Sequence, residues 1–412
     1  MRRLANILDY AIYWLIAIIP FSVGVASAPM NVFMGLLIFC FILKKAIKRE
    51  TVFSRNAITA PVIFLLAITC LSLLNSVNYR DSIKGGLLRL IQYALILFIV
   101  KQETRDARHI KMIFFSFLLG LSLVSCDGIW QVITGRDFIR GYAPVFNIGL
   151  VRATASFKDS NLMGIYLSAL SPLLFGLTLF YYKGYPRLIF MALSLSVLMG
   201  IVLTYSRPTL LAVYTALLFL GVARRNRLFI AALIILAVIA AFVAPQSVRE
   251  WARSVEYNPI RFMCNDDRIA VYRNSLNMIR AHPIVGVGAN TFMKNYKRYK
   301  EASEYRGIVT QDYMYAHNNF LHMASEIGLA GLGIFIWLLY TLFVQCVRII
   351  RKLSEPYMRI VSLSFTACLI AFLVNGLTES SLYYSRVALL FWYLAGCALA
   401  VGELEHVESA AN

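Results

Sequence analysis

The sequence predicts an all-α, polytopic membrane protein of about twelve transmembrane helices, with a large helical loop on the outer face between helices nine and ten. Three observations predict it. Of 412 residues, 59% are hydrophobic and only 15% are charged. The mean hydropathy is +0.68, and apolar runs of membrane-spanning length recur along the whole chain. A helix crossing about 30 Å of hydrocarbon needs roughly 20 apolar residues, and a soluble domain of this length carries far fewer in total. A disulfide scaffold is excluded, because the seven Cys are an odd number and six of them (Cys40, Cys70, Cys126, Cys346, Cys368, Cys397) fall in apolar stretches. Only Cys264 lies in a polar segment.

Span one, 10–28, follows Met1-Arg2-Arg3 and meets the short span two, 30–43, through a tight turn at Ala28-Pro29. A cleaved leader is the competing reading, because Ala26-Ser27-Ala28 resembles a small-residue cleavage site. Against it, Pro29 would directly follow the cut, and losing span one would spoil the alternation of sides. Spans three, four and five occupy 57–75, 83–100 and 110–133. The polar loop Thr134–Ser160 leads to span six, 161–182, and span seven, 187–205. Span eight, 208–222, is short and joined to seven by the turn Ser206-Arg207-Pro208, since Pro suits a first helical turn. Span nine, 227–245, precedes the long polar segment, and spans ten to twelve occupy 321–347, 358–376 and 386–402. The chain thus divides into 1–245 with nine spans, 246–320 with the large loop, and 321–412 with three spans and a short tail. No internal repeat is visible.

Orientation follows from Lys and Arg, which accumulate in short cytoplasmic loops. With the N-terminus inside, the cytoplasmic segments hold 20 of the 40 basic residues, and Gln246–Ala316, too long for the rule to count, holds 11. The remaining 9 lie elsewhere. Both termini are therefore expected in the cytoplasm, with Thr134–Ser160 and Gln246–Ala316 outside.

The formal charge of +19 favours anionic partners. The outer segment carries 11 Lys and Arg against seven acids, interspersed with Tyr257, Tyr272, Tyr296, Tyr299, Tyr305, Tyr313 and Tyr315. Guanidinium forks grip phosphate and aromatic faces stack on sugars, so the pattern suggests a groove for a phosphorylated, sugar-bearing substrate. A solvated amphipathic helix pair is the plainer alternative for any single residue, and Arg306 and its neighbours fit either. Nucleic acid as a partner fails on location.

Arg207 ends an apolar span in Leu203-Thr204-Tyr205-Ser206-Arg207. It either snorkels to the interface or holds an anion, because a cation beside the helix N-terminus at Pro208 is repelled unless an anion bridges them. His317 stands where the outer segment re-enters the membrane. Neutral imidazole is suited to take a proton from a sugar hydroxyl, against the alternative of a structural interfacial His. Glu326 and Gly328 lie deeper, and Gly328 with Gly331 would permit close helix packing. Asp266-Asp267 lacks a third ligand, so no metal site is expected. Gly286-Val287-Gly288 after His282-Pro283 reads as a turn, without the setting of a nucleotide loop, and Ser206 has no triad partners.

Three segments resemble the bacterial O-antigen ligases, within the O-antigen ligase/polymerase superfamily. Leu203-Thr204-Tyr205-Ser206-Arg207 is similar to the superfamily's leucine-threonine-x-serine-arginine stretch. Asp267-Arg268-Ile269-Ala270-Val271-Tyr272, leading to His282-Pro283-Ile284-Val285-Gly286-Val287-Gly288, resembles the arginine-bearing helix and proline-glycine turn of its large periplasmic loop, with Tyr272 where many members have tryptophan. His317-Asn318, nine residues, then Gly328-x-x-Gly331 matches the ligase signature and fixes four positions. Arg152-Ala153-Thr154-Ala155-Ser156-Phe157 through Asn161 resembles the segment before span six in many members.

The resemblance implies an inverting glycosyltransferase of lipopolysaccharide biosynthesis in the bacterial inner membrane. It would move a glycan from undecaprenyl pyrophosphate to lipid A-core among the membrane lipids, without metal, nucleotide or other cofactor. On this reading His317 deprotonates or orients the acceptor hydroxyl, and Arg207 and Arg268 neutralise the leaving pyrophosphate. Arg273, Arg280 and Glu326 are candidates for binding phosphate or orienting His317, and Arg152 and Asn318 for binding substrate. Rival readings are an O-antigen polymerase, a protein O-oligosaccharyltransferase and a polysaccharide flippase. The absence of repeated halves and of midplane ionisable clusters speaks against a transporter.

Overall fold

The computed structural model describes residues 2–53, 56–147, 149–243, 246–301 and 311–411. Tyr305 and Arg306 of the outer segment lie outside them. Helices α1 (Arg2–Val25) and α2 (Ser27–Lys48) form a hairpin that turns on the single extended residue Ala26. The turn comes earlier than expected because Pro29, lacking only an N–H that a first turn leaves unpaired, sits inside α2. Span two is therefore a 22-residue helix and not a short one. Helix α3 (Thr59–Ser72) follows. Then α4 (Tyr79–Asp81), a π-helical stretch (Ser82–Leu87) and α5 (Leu88–Glu103) run on as one rod. Helix α6 (Ala107–Thr134) ends at Gly135, whose φ of 83° is left-handed.

The loop after α6 contains a small antiparallel hairpin, β1 (Val145–Asn147) and β2 (Leu150–Arg152), with Val145 opposite Arg152. An all-α reading omits it, since three-residue strands leave no usable alternation. Helices α7 (Ser160–Phe180), α8 (Gly184–Leu203), α9 (Arg207–Ala223) and α10 (Arg227–Phe242) complete the first nine spans. The large loop is helical, as expected, with α11 (Gln246–Ser254), α12 (Pro259–Met263), α13 (Asp266–Ala281) and α14 (Phe292–Tyr299). Last come α15 (Asn319–Lys352), α16 (Pro356–Asn375) and α17 (Ser385–Ala411). Among the described residues nine helices are long and apolar enough to span a membrane, and three shorter apolar helices bring the set to the twelve expected.

The centre of the bundle is built from α7, α16 and α17, the most buried of these helices, with α7 packed on α16 and α17 on α5. Helix α1 belongs to this core. Ile12, Ile16 and Ile19 are buried, and the Ile16 carbonyl accepts from the Tyr393 hydroxyl of α17 at 2.6 Å. One end of the bundle is closed by charge: buried Lys44 reaches Asp9 at 2.5 Å and Glu103 at 2.6 Å, and Arg105 joins both acids. The large loop caps the other end.

Helix α15 is broken at Gly328, where φ is 74° and ψ 177°. The turn after α13 fills the break with its backbone: Leu329 N donates to Pro283 O at 2.8 Å, Val287 N to Ser325 O at 2.9 Å and Gly288 N to Glu326 O at 3.0 Å. A Cβ on Gly328 would lie 2.0 Å from Ile284 O, and one on Gly286 would lie 2.3 Å from the Glu326 carbonyl carbon. These glycines therefore serve a backbone-to-backbone joint between the loop and α15, which replaces the expected packing of two helices across Gly328 and Gly331. Gly331 instead faces the Ile327 side chain of its own helix.

Candidate functional site

Four chain segments meet where the loop joins the bundle. His317 precedes α15, whose N-cap is Asn318: the Asn318 Oδ1 accepts from Phe320 N and Leu321 N at 2.9 Å each. Its Nδ2 donates to Leu377 O at 2.8 Å, which ties the start of α15 to the turn between α16 and α17. That turn carries Glu379, 5% exposed. The Glu379 Oε2 lies 3.1 Å from His317 Nδ1. Its Oε1 accepts from Arg268 Nη2 in the first turn of α13 and from Asn161 Nδ2 of α7 at 3.0 Å.

The cluster extends through Asn161. Its Oδ1 accepts from Arg152 Nη2 at 2.9 Å, and Arg152 Nε donates to Thr204 O at 2.8 Å. The turn from Thr204 to Ser206 delivers Arg207, whose Nη1 donates to Phe262 O and whose guanidinium lies 5.5 Å from the Phe262 ring centre. Arg152, Arg207 and Arg268 are close enough to repel one another. Two residues of the site hold left-handed backbone without being glycine, His317 at φ 48° and Tyr205 at φ 49°. Such strain of about 1–3 kcal/mol persists only where surrounding bonds over-determine it. At His317 one such bond is from the Tyr272 hydroxyl to His317 O at 3.0 Å.

Burial opposes ionisation of Glu379, but the hydrogen bond from His317 and the charges of Arg268, His317 and Arg152 outweigh it and hold its carboxyl below the ordinary carboxylate range. An ionised carboxylate only accepts, so in the neutral imidazole of His317 it is Nδ1 that carries the proton and Nε2 that keeps a lone pair. A base oriented this way by a carboxylate is suited to take a proton from a hydroxyl. Burial lowers Arg152 from its ordinary value, with Asp159 opposing and Arg268 adding to the shift. Burial also raises the Tyr272 hydroxyl, helped by its contact with Cys264 Sγ at 3.5 Å. Cys264 is buried against that ring and is not an aqueous thiol.

The structure brings together His317, Arg207, Arg268 and Arg152, with Asn318 beside them, and it places Arg273, Arg280 and Glu326 elsewhere. Arg273 is exposed, 3.6 Å from Glu301. Arg280, also exposed, is twelve residues along α13 from Arg268, roughly 18 Å at helical rise. Glu326 is buried, accepts from Asn290 N at 2.7 Å and Phe292 N at 2.9 Å, and lies 3.3 Å from His322 Nε2. Its carboxylate therefore caps α14, and it makes no contact with His317 among the described residues. The Asn318 side chain is taken up by the cap of α15. Sequence reasoning missed Glu379 and Asn161. Glu379 did leave a signal, as the one acid between Glu355 and Glu403 in a stretch otherwise nearly all apolar.

Asp266 lies 3.6 Å from Arg261 Nε and Asp267 accepts from Asn265 Nδ2 at 3.1 Å. Among the described residues no group of three or more His, Cys, Asp or Glu could hold a metal ion.

Residues 190–336 match a family model described as O-antigen ligase. The match runs from within α8 to within α15 and covers Arg207, Arg268 and His317, while Arg152, Asn161 and Glu379 lie outside it. The resemblance carried by the sequence motifs is thereby borne out over that segment, and an O-antigen ligase/polymerase-type function follows in general terms. No curated protein matches the chain.

Proposed function

We propose that this membrane protein, with its O-antigen ligase segment at 190–336, transfers a glycan from undecaprenyl pyrophosphate to lipid A-core oligosaccharide. The transfer would take place at the periplasmic face of the bacterial inner membrane, in lipopolysaccharide biosynthesis. The observation that carries the reading is the convergence of Arg152, Arg207 and Arg268 beside the His317–Glu379 pair. Mutually repelling guanidinium groups are stabilised by an anion between them, and a pyrophosphate presents several charged oxygens in fork geometry.

In this mechanism the acceptor hydroxyl gives its proton to His317 Nε2 as its oxygen attacks the anomeric carbon. The bond from that carbon to the pyrophosphate oxygen breaks, and the arginines stabilise the charge that grows on the leaving group. Attack opposite the leaving group inverts the anomeric centre. The site's own cations neutralise the departing charge, and the donor is already activated, so the reading requires neither metal nor nucleotide. Both termini lie in the cytoplasm on this reading, in keeping with the excess of Lys and Arg there. A polymerase uses the same donor and differs in its acceptor, and the His317-Asn318 to Gly331 signature favours the ligase.

A strain with the gene deleted tests this. Bare core together with long chains stranded on the lipid carrier supports the ligase. Core bearing a single repeat assigns a polymerase, and an unchanged ladder refutes both.

A further inference from the structure

A cavity of about 440 Å³ adjoins the cluster. Leu162, next in the chain to Asn161, lines it, as does Tyr384, whose ring centre is 5.1 Å from that of Tyr315. Among the described residues no acidic side chain lines it, whereas Arg140, Lys158 and Arg386 all do. Arg386 is buried, 7% exposed, with its guanidinium 3.5 Å from the Phe157 ring centre. It donates to the carbonyls of Val23, Gly24 and Ser156 and to the Ser156 hydroxyl at 2.7–2.9 Å. All of these partners are neutral, so among the described residues no carboxylate compensates a buried cation, which is a costly arrangement.

Two further features point the same way. Arg140 and Lys158 approach one Tyr142 ring at 5.0 and 4.6 Å, and Lys158 is held in left-handed backbone at φ 64°. Two helix N-termini also open on the cavity. One is that of α2, whose N-cap Ala26 offers no side-chain acceptor. The other is that of α17, whose first turn holds Arg386. Each adds partial positive charge and unpaired N–H groups.

We infer that this cavity is an anion site for a phosphate group of the acceptor glycolipid, held there while the acceptor hydroxyl reaches His317. The attribution to the acceptor rests on the transferase reading above: the donor pyrophosphate already has its own arginines, and a second anion site beside them fits the second substrate. A membrane phospholipid headgroup offers the same phosphate chemistry.

The test is equilibrium binding without turnover, using the full-length protein in nanodiscs of neutral lipid. The probes are lipid A-core, the same glycolipid with its phosphates removed, and phosphatidylglycerol as competitor. The parent should bind the dephosphorylated form about tenfold more weakly, the loss of one or two charge-assisted contacts. The exposed pair Arg140→Gln/Lys158→Gln should erase that difference, and Arg268→Gln should keep it. Equal binding of the two forms, or an unchanged preference in the double variant, overturns the site. Displacement by phosphatidylglycerol at the same concentration overturns the attribution to the acceptor. A preserved phosphate preference with no transfer from any lipid-linked donor would leave the anion site standing and refute the transferase reading.

Discussion

Glu379→Gln isolates the part of the site that only the three-dimensional structure shows. The carboxylate accepts from Arg268 Nη2, from Asn161 Nδ2 and, at 3.1 Å, from His317 Nδ1. Glutamine keeps the shape but carries no charge and only one acceptor oxygen, so it can accept from Arg268 or from His317 while its NH2 group faces the other donor. A hydrogen bond to a charged group contributes about 1.5–3 kcal/mol. If the lost bond is the one that orients His317, that range translates into a fall of about 10- to 150-fold in kcat. The KM for the acceptor should change little, because Glu379 does not face the proposed phosphate site. The assay is transfer from a lipid-linked glycan by purified protein, alongside thermal denaturation in the same detergent. Breaking a buried ion pair costs about 3–5 kcal/mol. Arg268 retains 17% exposure, so the stability loss should sit at or below the lower end of that range. A kcat within about threefold of the parent, less than half of a tenfold barrier change in free energy, would refute the orienting role.

Glu326→Ala orphans the N–H groups of Asn290 and Phe292 and should cost about 1–3 kcal/mol of stability, read by denaturation. An unchanged transition would contradict its role as the cap of α14. Gly328→Ala should abolish accumulation of folded protein, since the new methyl would lie 2.0 Å from Ile284 O in left-handed backbone; a normal yield in a fluorescence-detected sizing run would dismiss the joint. The lowered pKa of Glu379 stabilises the fold at pH above the ordinary carboxylate value of about 4.3. That contribution is lost as pH falls through the lowered folded value, so Glu379→Gln should flatten the acid decline in thermal midpoint, and a decline equal to the parent's argues against it. Arg273→Gln and Arg280→Gln remove exposed cations and should change kcat/KM by no more than about twofold, as exposed pairs contribute little. Losses matching Arg268→Gln would mean that substrate extends along α13.

Much of this was legible in the sequence. Twelve apolar helices follow from hydropathy alone, because lipid imposes one secondary structure on every lipid-facing span, while the helical outer loop is expected from the resemblance of its arginine-bearing segment. His317 and Arg207 could be singled out because each borders an apolar run, where a charge needs a reason, whereas Arg268 and Arg152 stand out through the family resemblance of their segments. Glu379 and Asn161 could not be joined to them, since hydropathy gives the order of the helices and not their neighbours in space. The turn carrying Glu379 sits 62 residues from His317 in the chain and 218 from Asn161. Glu326 shows the opposite error. An acid near His317 in sequence invites a catalytic reading, yet helical rise carries it down α15 to meet the N-terminus of α14. Likewise, Gly328 and Gly331 fit a helix-packing pattern, and only φ and ψ show that the first of them breaks the helix.

The most direct test of the central claim uses purified protein, lipid-linked glycan and lipid A-core in the presence of EDTA, comparing the parent with His317→Gln. The account predicts transfer with inversion by the parent and transfer reduced by at least about 10²-fold, the low end for general base catalysis, in a variant that remains folded. A parent inactive until metal is restored, or a variant that transfers at the parental rate, would contradict it.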